Sequence, residues 1–390
     1  MKTTLAIRLC IFVAMSMSAI HIAYAASCPE QLVSRETWVS KWGNPQADAE
    51  YVSQLKGCLS WDFLAQADLD TLAVSTLIIV EQSPALTDIQ KRGVINFVAQ
   101  VLEADATAGY SSSQHNYAVL FNAQPGSLVA KTIVQDQMTF GQWTKTAAAQ
   151  KEPRAMFNLA IRMAVGVPDA GIAKNPETAY TLLILMDQLS MNPDLTPAAK
   201  MFFQGIKPIS EKTKKDLETI LGASKAKELT AQSANFDYSS LAPKKPYVTG
   251  AWDHDKNVRS AVENFLSEQN TQGNLQVVSD TKSCYLAAMG DNGLTKDKEY
   301  CVAFDAADIE YTTAFYRGMA AKLKQPNMRN LQPEETLQSA GQQRIVQQMS
   351  NAKVSNAEMV GAAIYRKATQ ALFDLVKKNA VAQANMPNHP

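Results

Sequence analysis

The sequence predicts a mainly α protein in two parts: an N-terminal, solenoid-like domain of helical hairpins, then a small α+β domain built on a disulfide-bridged β-hairpin. Three observations point there. From Pro29 to about Phe236, apolar residues recur at intervals of three and four, the period of a helix face. Helix breakers interrupt that pattern at hairpin spacing. Beyond it, Cys284 and Cys301 flank Asn292-Gly293, a dipeptide suited to a tight strand reversal.

At the N-terminus, Lys2 and Arg8 precede the apolar run Leu9 to His21, which leads into Ala23-Tyr24-Ala25. A basic head, a short apolar middle and a small-x-small triplet read as a bacterial secretory signal peptide over residues 1–25. The alternative is lipidation at Cys28, following Ala26-Ser27. The expected location is periplasmic or secreted. The chain has 37 basic and 37 acidic residues, two of the basic ones in the leader. That balance offers nothing to attract nucleic acid or an anionic membrane. The most apolar run after the leader, Leu72 to Val80, is too short for a transmembrane segment.

An oxidising compartment favours disulfides among the four remaining cysteines, Cys28, Cys58, Cys284 and Cys301. Four cysteines allow three connectivities, and sequence distance favours Cys28 with Cys58 and Cys284 with Cys301.

The first domain is expected over residues 26–235. Leu69, Leu72, Ala73, Thr76, Leu77 and Val80 share a helix face, as do Ile89, Val94, Phe97, Val98, Val101 and Leu102. Breakers stand at Ser83-Pro84, Gln124-Pro125-Gly126, Glu152-Pro153, Asn175-Pro176, Thr196-Pro197 and Lys207-Pro208. Proline suits the first turn of a helix, where its missing amide hydrogen has no partner to lose. Within this domain Ala155 to Leu183 carries Leu159-Ala160, Gly166-Val167, Lys174-Asn175 and Ala179-Tyr180 in order. That segment resembles a Sel1-like repeat, a relative of the tetratricopeptide repeat. The resemblance implies two closely packed antiparallel helices, with the first ended by Gly166, and a surface that binds protein.

Residues 236–252 hold prolines, serines and paired lysines and read as a linker. The second domain follows over 253–379. A helix is expected from Asp253 to Glu268 with Val258, Val262, Phe265 and Leu266 inward, then a strand over Leu275 to Val278. With Asn292-Gly293 as a two-residue turn, Asp291 faces Leu294 and, counting outward, Cys284 faces Cys301. That places the cysteines at a non-hydrogen-bonded pair with α-carbons about 4.5 Å apart, within reach of a disulfide. A longer loop with the same bridge is the alternative, because Thr295 to Lys298 are poor strand formers. Helices follow over Ala307 to Leu323, Pro333 to Met349 and Ser355 to Lys378, and residues 380–390 read as a disordered tail.

Catalytic signatures are sparse. His115, His254 and His389 are the histidines left after the leader, and no nucleophile elbow, zinc-protease helix, phosphate loop or dinucleotide fingerprint is present. Asp253, His254 and Asp255 place carboxylates beside an imidazole, a set that could ligate metal or shuttle protons, although Asp253 also suits a helix cap. Ser111 to Ser113 precede His115 in a helix-entry pattern. Asp291-Asn292-Gly293 begins like a calcium loop, but the later ligands do not follow. No cofactor or metal is implied. The expectation is an exported protein that binds a protein or peptide, with a hydrolase acting on envelope material, through His254 with Asp253 or through Glu310, as the alternative.

Overall fold

In the computed structural model the described residues are 86–195, 197–243, 252–288, 292–323 and 334–384, with 73, 76, 77, 80 and 81. The expected leader at 1–25, Cys28, Cys58, Ser83-Pro84, the middle of the expected linker, Asp291 and His389 lie outside them. Among the described residues are thirteen α-helices and no strand. Two compact units divide the chain: Ile95–Ala106 with Tyr110–Ala251, and Thr107–Gly109 with Trp252–Pro390 and residues up to Val94.

The first unit takes most of α1 (Asp88–Thr107), then α2 (Ser111–Leu120), α3 (Leu128–Thr132), α4 (Gln137–Ala149), α5 (Pro153–Val165), α6 (Pro176–Ser190), α7 (Pro197–Leu221) and α8 (Ala223–Gln232). Each helix packs mainly on its near neighbours in sequence, α2 on α4, α4 on α5, α5 on α6 and α6 on α7. Their shared core includes Phe140, Trp143, Met156, Leu159, Leu182 and Leu183.

The local signals act at the helix starts. Glu152 and Asn175 cap α5 and α6 through their side chains, each with proline at the next position. Between these helices Gly166 turns at φ +85°, and Val167 bridges to Ile172 across a short 3-10 turn. Ala155, Leu159, Ala160, Ala179 and Tyr180 are all buried, so the small residues do sit between two close helices. Gly141 serves the same end: a Cβ there would lie 1.9 Å from the carbonyl oxygen of Ala170, so only glycine lets α4 approach the turn.

Two expectations fail in this unit. Pro208 stands inside α7 instead of opening a helix. It and Gln204 are exposed, on a side where water can satisfy the carbonyl that proline's missing amide hydrogen leaves free. The expected linker also begins too early: Tyr238–Leu241 form a 3-10 turn, Leu241 is buried, and Phe236 and Tyr238 pack on the core.

The second unit contains α9 (His254–Thr271), α10 (Asn274–Ala287), α11 (Lys296–Leu323), α12 (Glu334–Asn351) and α13 (Ala357–Ala384). Helix α11 touches all four others. From Cys301 to Ala307 every residue is buried, as expected of a helix enclosed on all sides. Phe265 of α9 meets Phe304 and Tyr311 of α11 edge to face, with ring centroids 5.8 and 5.6 Å apart.

The α+β reading is overturned here, because the expected strand at Leu275 to Val278 is helical, and so are residues 284–287 and 296–301 of the expected hairpin arms. Val277, Thr281, Tyr285 and Ala288 are buried at steps of three and four, while Val278 and Leu286 are each 59% exposed. That is the period of a helix, and it competes with the alternation that a strand requires. Thr295 accepts the Lys298 amide at 3.2 Å and so starts α11 in the segment where strand propensity was poorest.

The disulfide stands in a different frame. Cys284, in the last turn of α10, bonds to Cys301, in the second turn of α11, with α-carbons 5.6 Å apart. The chain must reverse between them in either architecture. The tail is also shorter than expected, since α13 runs on to Ala384.

Closing the 17-residue separation between Cys284 and Cys301 should stabilise the fold by about 3 kcal/mol. Urea unfolding of the Cys284→Ser/Cys301→Ser double variant under oxidising conditions should show that loss relative to the parent chain.

Candidate functional site

The candidate constellation around His254 lies at the start of α9. Asp253 is the N-cap and accepts the Lys256 amide at 2.9 Å. Its carboxylate serves the helix terminus and is exposed to solvent. Asp255 points outward to the Lys367 ammonium, 2.6 Å away. Only His254 turns inward, where its Nδ1 lies 2.5 Å from Oε1 of Glu299. The structure therefore separates the three neighbours, and the partner of the imidazole comes from α11.

Glu299 is fully buried and receives two further donors. Trp252 Nε1 donates to its Oε2 at 2.6 Å, and Asn257 Nδ2 donates to the same atom at 2.8 Å. Asn257 also donates to the Lys296 carbonyl at 2.8 Å, tying α9 to the first turn of α11. The rings of Trp252 and His254 lie 4.7 Å apart. Gly109 closes the other side at φ +85°, and a Cβ there would fall 2.2 Å from Cγ of His254. Lys367 of α13 reaches the same corner by donating to the Ala108 carbonyl at 3.2 Å. A histidine and a glutamate in contact can shuttle a proton in an accessible cleft. Here both are enclosed, and their bonds pin α9 to α11.

Two more buried carboxylates follow along α11. Asp305 receives a forked pair from Arg344 of α12, Nε at 3.0 Å and Nη2 at 2.5 Å, and the Tyr285 hydroxyl of α10 at 2.9 Å. Glu310, the other candidate of the hydrolase reading, accepts the Tyr365 hydroxyl of α13 and, at 2.9 Å, Gln338 Nε2 of α12. Asp308 has no such arginine fork. Burial, and then the Asp305 charge, push its carboxyl up to about 6, against the pull of Thr312 and Arg344.

In the other unit His115 lies within α2, one turn after Ser111. Burial, reinforced by Arg154 and Arg162, lowers the imidazole to about 3, and its Nδ1 makes no hydrogen bond among the described residues. A neutral imidazole that resists protonation is a poor general base near pH 7.

Open concavities occur elsewhere in this unit. One of about 390 Å³ lies against the start of α6 and the end of α8, with Glu177, Thr178, Leu229 and Phe236 on its walls. Another of about 380 Å³ runs between α6 and α7 and includes Met186, Phe203, Lys200, Lys207 and Ser210. Both have the size of small-ligand clefts. The sequence signal for the second was present as Lys200, Phe203, Lys207, Ser210 and Lys214, a stripe at three- and four-residue steps. Among the described residues no group of three or more histidine, cysteine or acidic side chains is arranged to hold a metal ion. No family model, curated protein or solved structure matches the chain.

If Glu299 is structural, Glu299→Ala should lower the unfolding free energy by about 3–5 kcal/mol, because it leaves three enclosed donors without an acceptor. Asp253→Ala should lose only a helix cap, about 1 kcal/mol. Parallel urea titrations check the ranking, and equal effects would contradict it.

Asp308 gives a pH signature. Its folded carboxyl titrates at about 6, above the ordinary 3.8, so the fold binds the proton more tightly than the unfolded chain does. Its contribution to stability is therefore greatest below pH 4 and is lost as pH rises through 6. Asp308→Asn should raise the unfolding free energy by about 1–3 kcal/mol at pH 7.5, with the gain fading toward zero near pH 4.

Proposed function

We infer that the chain is an exported binding protein which presents helical surface to a protein or peptide partner. The observation that carries this reading is the contrast between committed chemistry and open surface. His254, Glu299 and Glu310 are enclosed and hydrogen-bonded between helices, whereas the clefts beside α6 open on a mixture of apolar and charged side chains. Stacked helical hairpins use such surface for recognition, and the buried small residues of α5 and α6 are compatible with the Sel1-like resemblance.

Export is supported by the leader-like N-terminus and by the Cys284–Cys301 bond, which suits an oxidising compartment. No helix among the described residues is long and apolar enough to cross a membrane.

The purified chain, immobilised and exposed to bacterial envelope extract, should retain a partner that also retains the chain when the roles are reversed, with a saturable one-to-one isotherm. Absence of any saturable partner, together with turnover of peptidoglycan or envelope peptides by the purified chain, would replace this reading with the hydrolase one.

A further inference from the structure

The cleft between α6 and α7 carries more information than its size. On α7, Lys200, Phe203, Lys207, Ser210 and Lys214 face it along one stripe, spanning about 21 Å of helix. Phe203 and, from α6, Met186 form a buried apolar floor beside Ile206. At one end Met191 is 77% exposed, an apolar side chain left on the lip.

The charges on the rim are unevenly matched. Lys214 is tied to Asp187 across the cleft, and Lys207 reaches Glu211 only at 3.8 Å with both side chains largely in water. Lys200, exposed at the other end, has no ion pair among the described residues. Ser210 lines the same cleft at 4% exposure, and its Oγ makes no hydrogen bond among the described residues. A serine inside a helix ordinarily satisfies its hydroxyl on the carbonyl one turn back. A buried hydroxyl with no such bond is an unsatisfied polar group just beneath the cleft surface, which a side-chain shift on docking brings to an occupant.

We propose that this cleft docks a short acidic amphipathic segment of a partner protein. The proposal rests on the binding reading above and names its surface and the chemistry of its partner. The apolar side chains of that segment lie on Met186, Phe203 and Ile206, its carboxylates pair with Lys200 and Lys207, and one polar group meets Ser210. The length of the stripe matches a helix-in-groove contact of about four turns, with anchors at three- and four-residue spacing. The basic rim selects carboxylates on the partner and rejects a basic face. A flat anionic bilayer would meet the exposed lysines and leave the recessed floor and Ser210 untouched.

The test is fluorescence anisotropy with the purified chain and a labelled sixteen-residue peptide carrying leucine at i, i+3, i+4 and i+7 and mostly glutamate elsewhere. Saturable binding is expected, about tenfold weaker or worse for a permuted peptide of equal composition and for the Lys200→Glu/Lys207→Glu variant, and weakened by salt. Both lysines are exposed, and circular dichroism with thermal melting verifies that the variant folds. Ser210→Ala should weaken binding by a smaller factor without lowering the melting temperature. The proposal is overturned if the acidic peptide does not bind, if the permuted peptide binds equally, or if the double variant binds like the parent. It is also overturned if vesicles containing phosphatidylglycerol bind the chain and displace the peptide. A double variant that still captures the envelope partner removes the cleft and leaves the binding reading intact, whereas failure of the parent chain to capture any saturable partner removes the binding reading itself.

Discussion

Three buried carboxylates on one central helix govern the second unit. An ionised side chain withdrawn from water is costly to leave uncompensated, so Glu299, Asp305 and Glu310 must each be met by donors. Those donors come from every neighbouring helix: Trp252 and Asn257 beside α9, Tyr285 of α10, Arg344 and Gln338 of α12, and Tyr365 of α13. Sliding any one of these helices by a turn would strand a charge. Apolar packing around Phe265, Phe304 and Tyr311 supplies attraction, and the polar bonds choose the register. The same bonds occupy the buried side chains of His254 and Glu310, two residues that look catalytic in the sequence.

The first unit is held together differently. Its contacts are mostly between helices adjacent in the chain, its core is aliphatic and aromatic, and its polar devices are caps at the helix starts with bonds between helices such as Tyr180 to Glu218 and Arg154 to Asn116. Such a unit does not require the groups on its outer faces for stability. Arg162 illustrates the point: its guanidinium lies over the Phe140 ring, 4.4 Å from the centroid, and donates to Asn158 Oδ1 at 3.1 Å, and burial lowers its proton affinity. The clefts beside α6 belong to this unit, and the binding proposed for this chain is assigned to them because their side chains are open to an occupant.

Much of the first unit was legible. Prolines after Glu152 and Asn175 mark real helix starts, and small residues from Ala155 to Ala179 mark a real close approach. Pro208 misled because a proline's tolerance in a helix interior depends on which side faces water, which no local pattern reports. The second unit misled more deeply. Asn292-Gly293 supports a tight reversal, but Thr295 as a cap and the spacing of Val277, Thr281 and Tyr285 support helices on both sides. Cys284 and Cys301 fit either reading, because any antiparallel return at that point brings them together. Glu299 could not be matched with His254 from sequence, since 45 positions separate them.

By itself the sequence determined helical character over the first unit, the reversal between the two cysteines, their bond and the cap at Asp253, all set by neighbours a few residues apart. Tertiary structure alone decided that α10 and α11 are helices packed together and that His254 faces Glu299 while Asp253 and Asp255 face out. It also decided that Ser210 lies in a basic-rimmed cleft. These outcomes depend on burial, and burial is a property of the assembled helices that no stretch of the chain carries alone.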